Sequence, residues 1–307
     1  MDKPVVTVLL ATCNGLPWIG EQVRSILEQE HVSVEIVVSD DMSTDGTWEW
    51  LVALDQSEPR VTLLPRVGRF GRAGANFFRL LREVARADPE FVAFADQDDI
   101  WLPDKLATQV EAMHYAHADG VSSDVIAFWK DGRRAYLRKS HPQRSLDFLC
   151  EAPGPGCTLL LSRRLVMTVA ELLDNPATEA SEHNLHDWLV YAVCRAKGWK
   201  WHIHDRATLL YRQHESNELG ANVGVAGLRR RLKSVRNGWY RAECQRAARI
   251  SELVATGNIR AQVANVRPLL ERPLGLRRLI LIVQVCRLRR RPRDRVLMAA
   301  AILFGLW

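Results

Sequence analysis

Three carboxylates fall within four residues, Asp96-Gln97-Asp98-Asp99, directly after the apolar run Phe91 to Ala95. Like charges this close repel, and each raises its neighbour's pKa. A divalent cation removes that cost. Mg²⁺ and Mn²⁺ prefer hard oxygen ligands, and Mg²⁺ typically takes one or two protein carboxylates and fills its other positions with water and phosphate oxygens. The same residues could instead make a solvated turn, with Asp99 or Asp104 capping a helix that starts around Pro103. Arg212 and His214 lie two apart on an expected strand and therefore point the same way, which suits contacts to phosphate and metal. Read alone, a surface histidine such as His214 is more often inert.

The elements that must position these groups follow from hydrophobic period. Val5 to Ala11 is a β-rich apolar run that breaks at Thr12-Cys13-Asn14-Gly15, after which Ile19, Val23, Ile26 and Leu27 recur at helical spacing. Val34 to Ser39 repeats the pattern, with the polar turn Asp40 to Gly46 and a helix through Trp48, Leu51 and Leu54. A third strand at Val61 to Leu64, a helix at Asn76 to Ala87 and a fourth strand at Phe91 to Ala95 complete it. Strands alternating with helices imply an α/β fold with a mainly parallel sheet, whose ligands sit at the carboxyl ends of the strands. Thr12 to Asn14, Asp40-Asp41 and Asp96 to Asp99 each follow a strand, so all three clusters should meet along one edge. Further on, Val121 to Trp129 and Ala135 to Arg138 flank a hairpin turn at Lys130-Asp131-Gly132. Helical spacing returns at Leu165 to Leu173 and at Leu185 to Cys194, before two strand-like runs, Lys200 to His204 and Ala207 to Tyr211.

Charge divides the chain. Residues 225–307 hold 19 of the 42 Lys and Arg but only four of the 36 acids, so a basic segment follows an acidic one. That asymmetry predicts a domain at 1–224 and a basic amphipathic helical tail at 225–307. Six cysteines scattered singly suggest neither a disulfide framework nor a structural zinc site, and we expect a reducing compartment. The first residues show no charged leader with a long apolar stretch, which leads to a cytoplasmic expectation.

The segments Thr7-Val8-Leu9-Leu10-Ala11-Thr12-Cys13-Asn14, Val37-Val38-Ser39-Asp40-Asp41-Met42-Ser43-Thr44-Asp45-Gly46-Thr47 and Asp96-Gln97-Asp98-Asp99-Ile100-Trp101-Leu102-Pro103-Asp104-Lys105-Leu106 resemble, in order and spacing, the inverting glycosyltransferases of family two, over roughly residues 5 to 220. The form of the acidic motif, with Asn76-Phe77-Phe78 upstream and Tyr211-Arg212-Gln213-His214 downstream, is similar to the bacterial rhamnosyltransferase branch. The resemblance implies a GT-A fold, a dTDP- or UDP-sugar donor, Mg²⁺ or Mn²⁺, and a glycan or lipid-linked acceptor in surface polysaccharide synthesis. Rhamnose from dTDP-rhamnose is the implied transfer.

Residue by residue, the resemblance implies that Asp41, with Asp40, accepts the imide N–H of the base while Thr12 and Asn14 line the nucleoside pocket. Asp96 would meet ribose or metal, Asp98 and His214 the metal, and Arg212 the donor phosphates. Asp187 stands at the family's catalytic base, although His186 precedes it where the family carries an acid. Gly156, Cys157 and Trp188 would face the acceptor. Plainer readings stay open for several of these: an Asx turn at Asp41, a helix-dipole acid at Asp187, an ordinary turn at Gly154 to Cys157. A nucleotidyltransferase is an alternative, but it would want a phosphate-cradling Gly-rich loop after the first strand, which Ala11 to Gly15 does not supply. A catalytically silent sugar- or membrane-binding module is another.

Beyond Gly224, arginines interleave with Leu, Ile, Val and Trp at 227–239 and 274–291, and the last dozen residues are mostly apolar. None of these runs reaches the roughly 20 apolar residues needed to span a bilayer. Peripheral docking on an anionic membrane, on the inner face of the plasma membrane, is one expectation for this tail. A homodimer or acceptor surface is a second, and nucleic-acid binding lacks the fold or stacking aromatics that would support it.

Overall fold

The computed structural model describes residues 3–214, 235–271 and 275–307. The expected boundary at 224/225, and the first part of the basic segment, fall outside them. The N-terminal half runs β1 (Val5–Thr12), α1 (Ile19–Leu27), β2 (Ser33–Asp40), α2 (Thr47–Ser57), β3 (Val61–Leu63), α3 (Ala73–Ala85) and β4 (Phe91–Ala95). β1 pairs in parallel with β2 and β4, and β2 with β3. β1 is buried throughout after Val5 because helices cover both faces. Its alternate residues serve opposite cores: Val6, Val8 and Leu10 pack towards α1 and α4 (Lys105–Ala116), while Leu9 and Ala11 face α3, α5 (Arg163–Asp174) and α6 (His186–Ala196).

The sheet is completed by β6 (Gly120–Ser123), β9 (Leu160–Ser162) and β10 (Trp201–His204), in the order β10-β6-β9-β4-β1-β2-β3. β9 alone runs antiparallel to its neighbours β4 and β6. The run expected as one strand from Val121 to Trp129 divides at Asp124, and β7 (Val125–Trp129) enters a second sheet, ordered β5 (Ile100–Trp101), β11 (Leu209–Gln213), β7, β8 (Arg134–Leu137). Asp124 explains the break: its buried carboxylate accepts the Ser140 amide at 2.8 Å and the Tyr136 hydroxyl at 2.8 Å, which draws the chain out of the first sheet. The expected hairpin joins β7 to β8.

Among the described residues the helices α7 (Trp239–Val254), α8 (Gly257–Glu271), α9 (Leu276–Leu288) and α10 (Pro292–Leu303) follow. The C-terminal region is helical, as its patterning predicts, and its helices pack into the core of the domain. Cys244, Ala247, Ala248 and Ile250 of α7, Leu281 and Val285 of α9 and Ile302 of α10 belong to the same apolar cluster as α3, α5 and α6. Part of the positive charge is internal. Arg290 is buried beside Glu151 and Asp147, the partly buried Arg289 pairs with Glu151 and Asp294, and Arg246 pairs with the buried Glu243. Truncation at 225 would therefore expose core rather than remove an appendage. No helix among the described residues is long and apolar enough to cross a membrane.

Candidate active site

The three clusters do meet at the carboxyl edge of the sheet. Gln97 couples the first to the third: its amide oxygen accepts the Cys13 N–H at 2.8 Å and its amide nitrogen donates back to the Cys13 carbonyl at 3.0 Å. The second cluster is tied to the first through Ser43, whose hydroxyl accepts the Asn14 N–H at 2.7 Å, and through Asn14 Oδ1, which accepts the Thr44 N–H at 2.8 Å. Asn14 takes the left-handed φ of 51° that this exchange requires, a conformation Asn tolerates better than most residues.

Asp40 departs from the expected nucleoside contact. Its side chain is fully buried and accepts from Thr12 Oγ1 at 3.1 Å, from the Ser43 amide at 3.0 Å and from Arg66 at 2.6 and 3.0 Å. Both oxygens are engaged, and Asp40 locks the loop after β2. Thr12, which donates to it, shares that role. Asp41 accepts the amides of Phe70 and, at 2.8 Å, Gly71, and so fixes the loop before α3.

Asp96, Asp98 and Asp99 separate by environment. Asp98 Oδ2 lies 2.6 Å from His214 Nε2, and the His214 ring stacks on Trp18 at 4.0 Å. Asp99 is no helix cap. It lies wholly inside the protein, where its Oδ1 accepts the Arg212 N–H at 3.1 Å, and burial followed by the neighbouring Asp98 pushes its carboxyl up to about 8. Asp104 does stand at the N-cap of α4, yet its carboxylate bonds Arg206 at 2.6 Å rather than the helix. Arg212 also donates to the Asp98 carbonyl at 2.7 Å and pairs with Glu21, which makes it an organiser of the acidic cluster. Arg212 and His214 both reach Asp98, as their spacing predicts.

Residues 156 and 157 join this cluster to α6. Cys157 Sγ, an Asp96 oxygen and an Asp99 oxygen lie within 4.8 Å of one another. A Cβ on Gly156 would collide with the His186 ring, so glycine is required here by the packing of His186. His186 stacks on Phe77 at 3.9 Å and meets Phe94 edge-on, and burial pushes it down to about 3, so it stays neutral. The next residue, Asp187, is at the edge of burial in the first turn of α6, with its Oδ1 accepting the Trp188 N–H at 2.7 Å. There it meets the positive end of the helix dipole.

Two residues expected at the acceptor are placed otherwise. Cys157 is fully buried, and burial together with Asp99 and Asp96 raises its thiol well above its ordinary value, so it lies beneath the acids as a neutral group. Trp188 is core: its indole N–H donates to the Phe148 carbonyl at 2.7 Å, and its ring packs against His183 and Tyr240. Sequence reasoning also missed Glu243. From inside α7 it accepts the Asn184 N–H at 3.0 Å and the Asn184 side-chain amide at 2.6 Å, with His183 at 3.4 Å, and so fixes the segment that leads into Asp187. Arg72 holds Asn184 from the other side at 2.5 Å. Nothing local in the sequence signals a partner 59 residues away.

The buried histidines set an acid limit on this segment. Burial pushes His183 down to about 4 and His186 to about 3, below the ordinary value of 6.5. Between those limits the unfolded chain binds more protons, so stability is present above pH 6.5 and is lost as pH falls towards 4. We expect about 2 kcal/mol of loss per histidine between pH 7 and pH 5. Chemical denaturation at the two pH values measures it, and equal stabilities would contradict the burial of these rings.

A mainly parallel sheet flanked by helices, with acids gathered at its carboxyl edge and a helical region behind, is a GT-A-like architecture. Residues 7–161 match the model of glycosyl transferase family 2, and the chain belongs to that family. It is a glycosyltransferase. It is 39% identical over 240 residues to the dTDP-rhamnosyl transferase RfbG of Shigella flexneri, an alignment covering 78% of this chain and 83% of that protein. It is 34% identical over 113 residues to the UDP-Glc:alpha-D-GlcNAc-diphosphoundecaprenol beta-1,3-glucosyltransferase WfgD of Escherichia coli, covering 37% of this chain and 42% of that one. Among solved structures, S. aureus TarS 1-349 in complex with UDP-GlcNAc superposes with a TM-score of 0.58 at 15% identity, over 100% of this chain and 80% of that one.

Proposed function

We propose that the enzyme transfers rhamnose from dTDP-rhamnose to a glycan or lipid-linked acceptor with inversion, Asp187 serving as base. The observation that carries this reading is the junction at Gly156 and Cys157, which brings the neighbour of Asp187 against the loop that touches Asp96 and Asp99. An acceptor hydroxyl at Asp187 and a donor diphosphate at the acids would then approach each other from the two sides of this junction. Similarity to RfbG supports the donor, and the diphosphoundecaprenol in the name of WfgD supports a lipid-linked acceptor.

The residues present fit a hard divalent cation. Asp96 and Asp98 offer carboxylate oxygens and His214, 2.6 Å from Asp98, adds an imidazole, while an oxygen of the buried Asp99 lies within 4.8 Å of one of Asp96. Bound there, Mg²⁺ or Mn²⁺ would supply Lewis-acid stabilisation of the departing nucleoside diphosphate. Arg212 holds the Asp98 backbone in place, while Trp18 orients the His214 ring. Asp187 removes the acceptor proton as that oxygen attacks the anomeric carbon. Asn14 and Asp41 remain the nucleoside candidates, and a base at Asp41 must displace the Phe70 and Gly71 amides. Peripheral association with the cytoplasmic face of an anionic membrane completes the reading.

Thermal denaturation with a panel of nucleotide sugars and either metal tests the donor. A midpoint rise of several degrees with dTDP-rhamnose plus metal, exceeding that with UDP-glucose, is expected because a ligand that binds only the native state stabilises it by mass action. Stabilisation by uridine-linked hexoses alone would exclude the rhamnosyl assignment.

A further inference from the structure

We propose that the α9–α10 hairpin carries the membrane-docking surface, an apolar face rimmed by arginine that lies flat on an anionic lipid bilayer. The proposal deepens the peripheral-membrane part of the reading above by naming the surface and its partner.

A surface helix of a soluble protein is apolar on one stripe and polar on the other. α9 is apolar on both. Leu281, Val285 and Leu288 are buried in the common core, whereas Leu276, Leu279, Ile280 and Val283, at i, i+3, i+4 and i+7, face solvent, with Leu276 72% and Val283 70% exposed. α10 repeats the arrangement, burying Met298 and Ile302 while leaving Val296 69% and Phe304, just beyond its end, 76% exposed. The two helices pack together, and a Cβ on Gly305 would lie 3.5 Å from the Arg278 guanidinium, so the start of α9 adjoins the end of α10. The exposed Leu276 and Phe304 therefore stand at the same end of the hairpin. Exposed apolar residues gathered on one helical hairpin in this way suit an interaction site.

Charge selects the partner. Residues 276–307 contain eight arginines and one acid, Asp294, which already pairs with Arg289. Arg277, Arg291 and Arg293 of the same hairpin are exposed. A second copy would bring the same cations face to face, whereas anionic headgroups complement them while the acyl region receives Leu, Val and Phe. At 13 and 12 residues the helices can lie in the interface but not cross it. Basic residues earlier in the C-terminal region are excluded from this role where they are paired inside, as Arg246 is with Glu243.

The test uses the full chain and the double variant Val283→Glu with Phe304→Glu, both at exposed positions outside the catalytic site. Wild type should sediment with vesicles of phosphatidylcholine and phosphatidylglycerol at roughly 2:1, not with phosphatidylcholine alone, and less as salt rises. The variant should bind the anionic vesicles at least about tenfold more weakly, because two buried apolar contacts are lost. Its melting midpoint and its stabilisation by nucleotide sugar should match wild type, so failure of docking and failure of the transfer reading are distinct results. Equal sedimentation of the two proteins, or none for wild type, overturns the proposal. So does light scattering that shows a wild-type dimer split by the variant, which would assign the face to a second copy of the chain.

Discussion

Asp187→Asn should fold, bind donor and transfer almost nothing. The amide keeps an oxygen at the position where Oδ1 accepts the Trp188 N–H, and its volume matches, so the first turn of α6 has no reason to change. What disappears is the capacity to accept a proton. General-base assistance contributes about 10²- to 10⁴-fold in such reactions, so kcat should drop by about that factor with the donor KM within a few-fold of wild type. Unchanged stabilisation by nucleotide sugar in thermal denaturation would establish that the loss is chemical. A kcat near wild type would remove Asp187 from the base position and return it to a helix-terminal acid, where its local sequence alone would have left it.

The second large effect concerns Asp98. In Asp98→Ala the carboxylate 2.6 Å from His214 disappears, and two of the proposed metal donors fail together. Turnover should fall by about 10³-fold, equivalent to about 4 kcal/mol of transition-state stabilisation, with the remainder insensitive to added Mg²⁺ or Mn²⁺. Measuring the rate against metal concentration for wild type and variant decides the matter. Full wild-type activity in buffer containing a strong chelator would overturn the metal assignment whatever the variant does. The two variants also separate the halves of the cleft, since Asp187→Asn should retain its metal dependence in whatever activity survives.

Strand, loop and helix were legible in the first hundred residues because their signals are local. A short run as rich in β-branched residues as Val5 to Ala11, ending at a Gly-containing loop, favours a strand covered on both faces, and the polar residues after it then emerge at the carboxyl edge. The pairing of β1 with β2 and β4 then brings Thr12, Asp40 and the acids after Ala95 together without further instruction. The family motifs at the three strand ends were equally legible. The run Val121 to Trp129 predicts one strand where the structure has two, because the sequence does not say that Asp124 will be claimed by Tyr136 and the amides of 139 and 140.

The tertiary structure alone decided which of these polar groups remain available for chemistry. Asp40 and Asp41 look equivalent along the chain, yet Arg66 and Ser43 consume the first and the 70–71 amides hold the second. Trp188 and Cys157 carry acceptor-like positions in the motif and are both buried. The C-terminal arginines sum to a basic tail in sequence, but Arg289 and Arg290 find Glu151 and Asp147 across the fold, while Arg277, Arg291 and Arg293 keep their charge at the surface. Periodicity and motif spacing are properties of neighbours along the chain. The use of a charge depends on which distant groups fold against it, and net charge by segment contains no record of those partners.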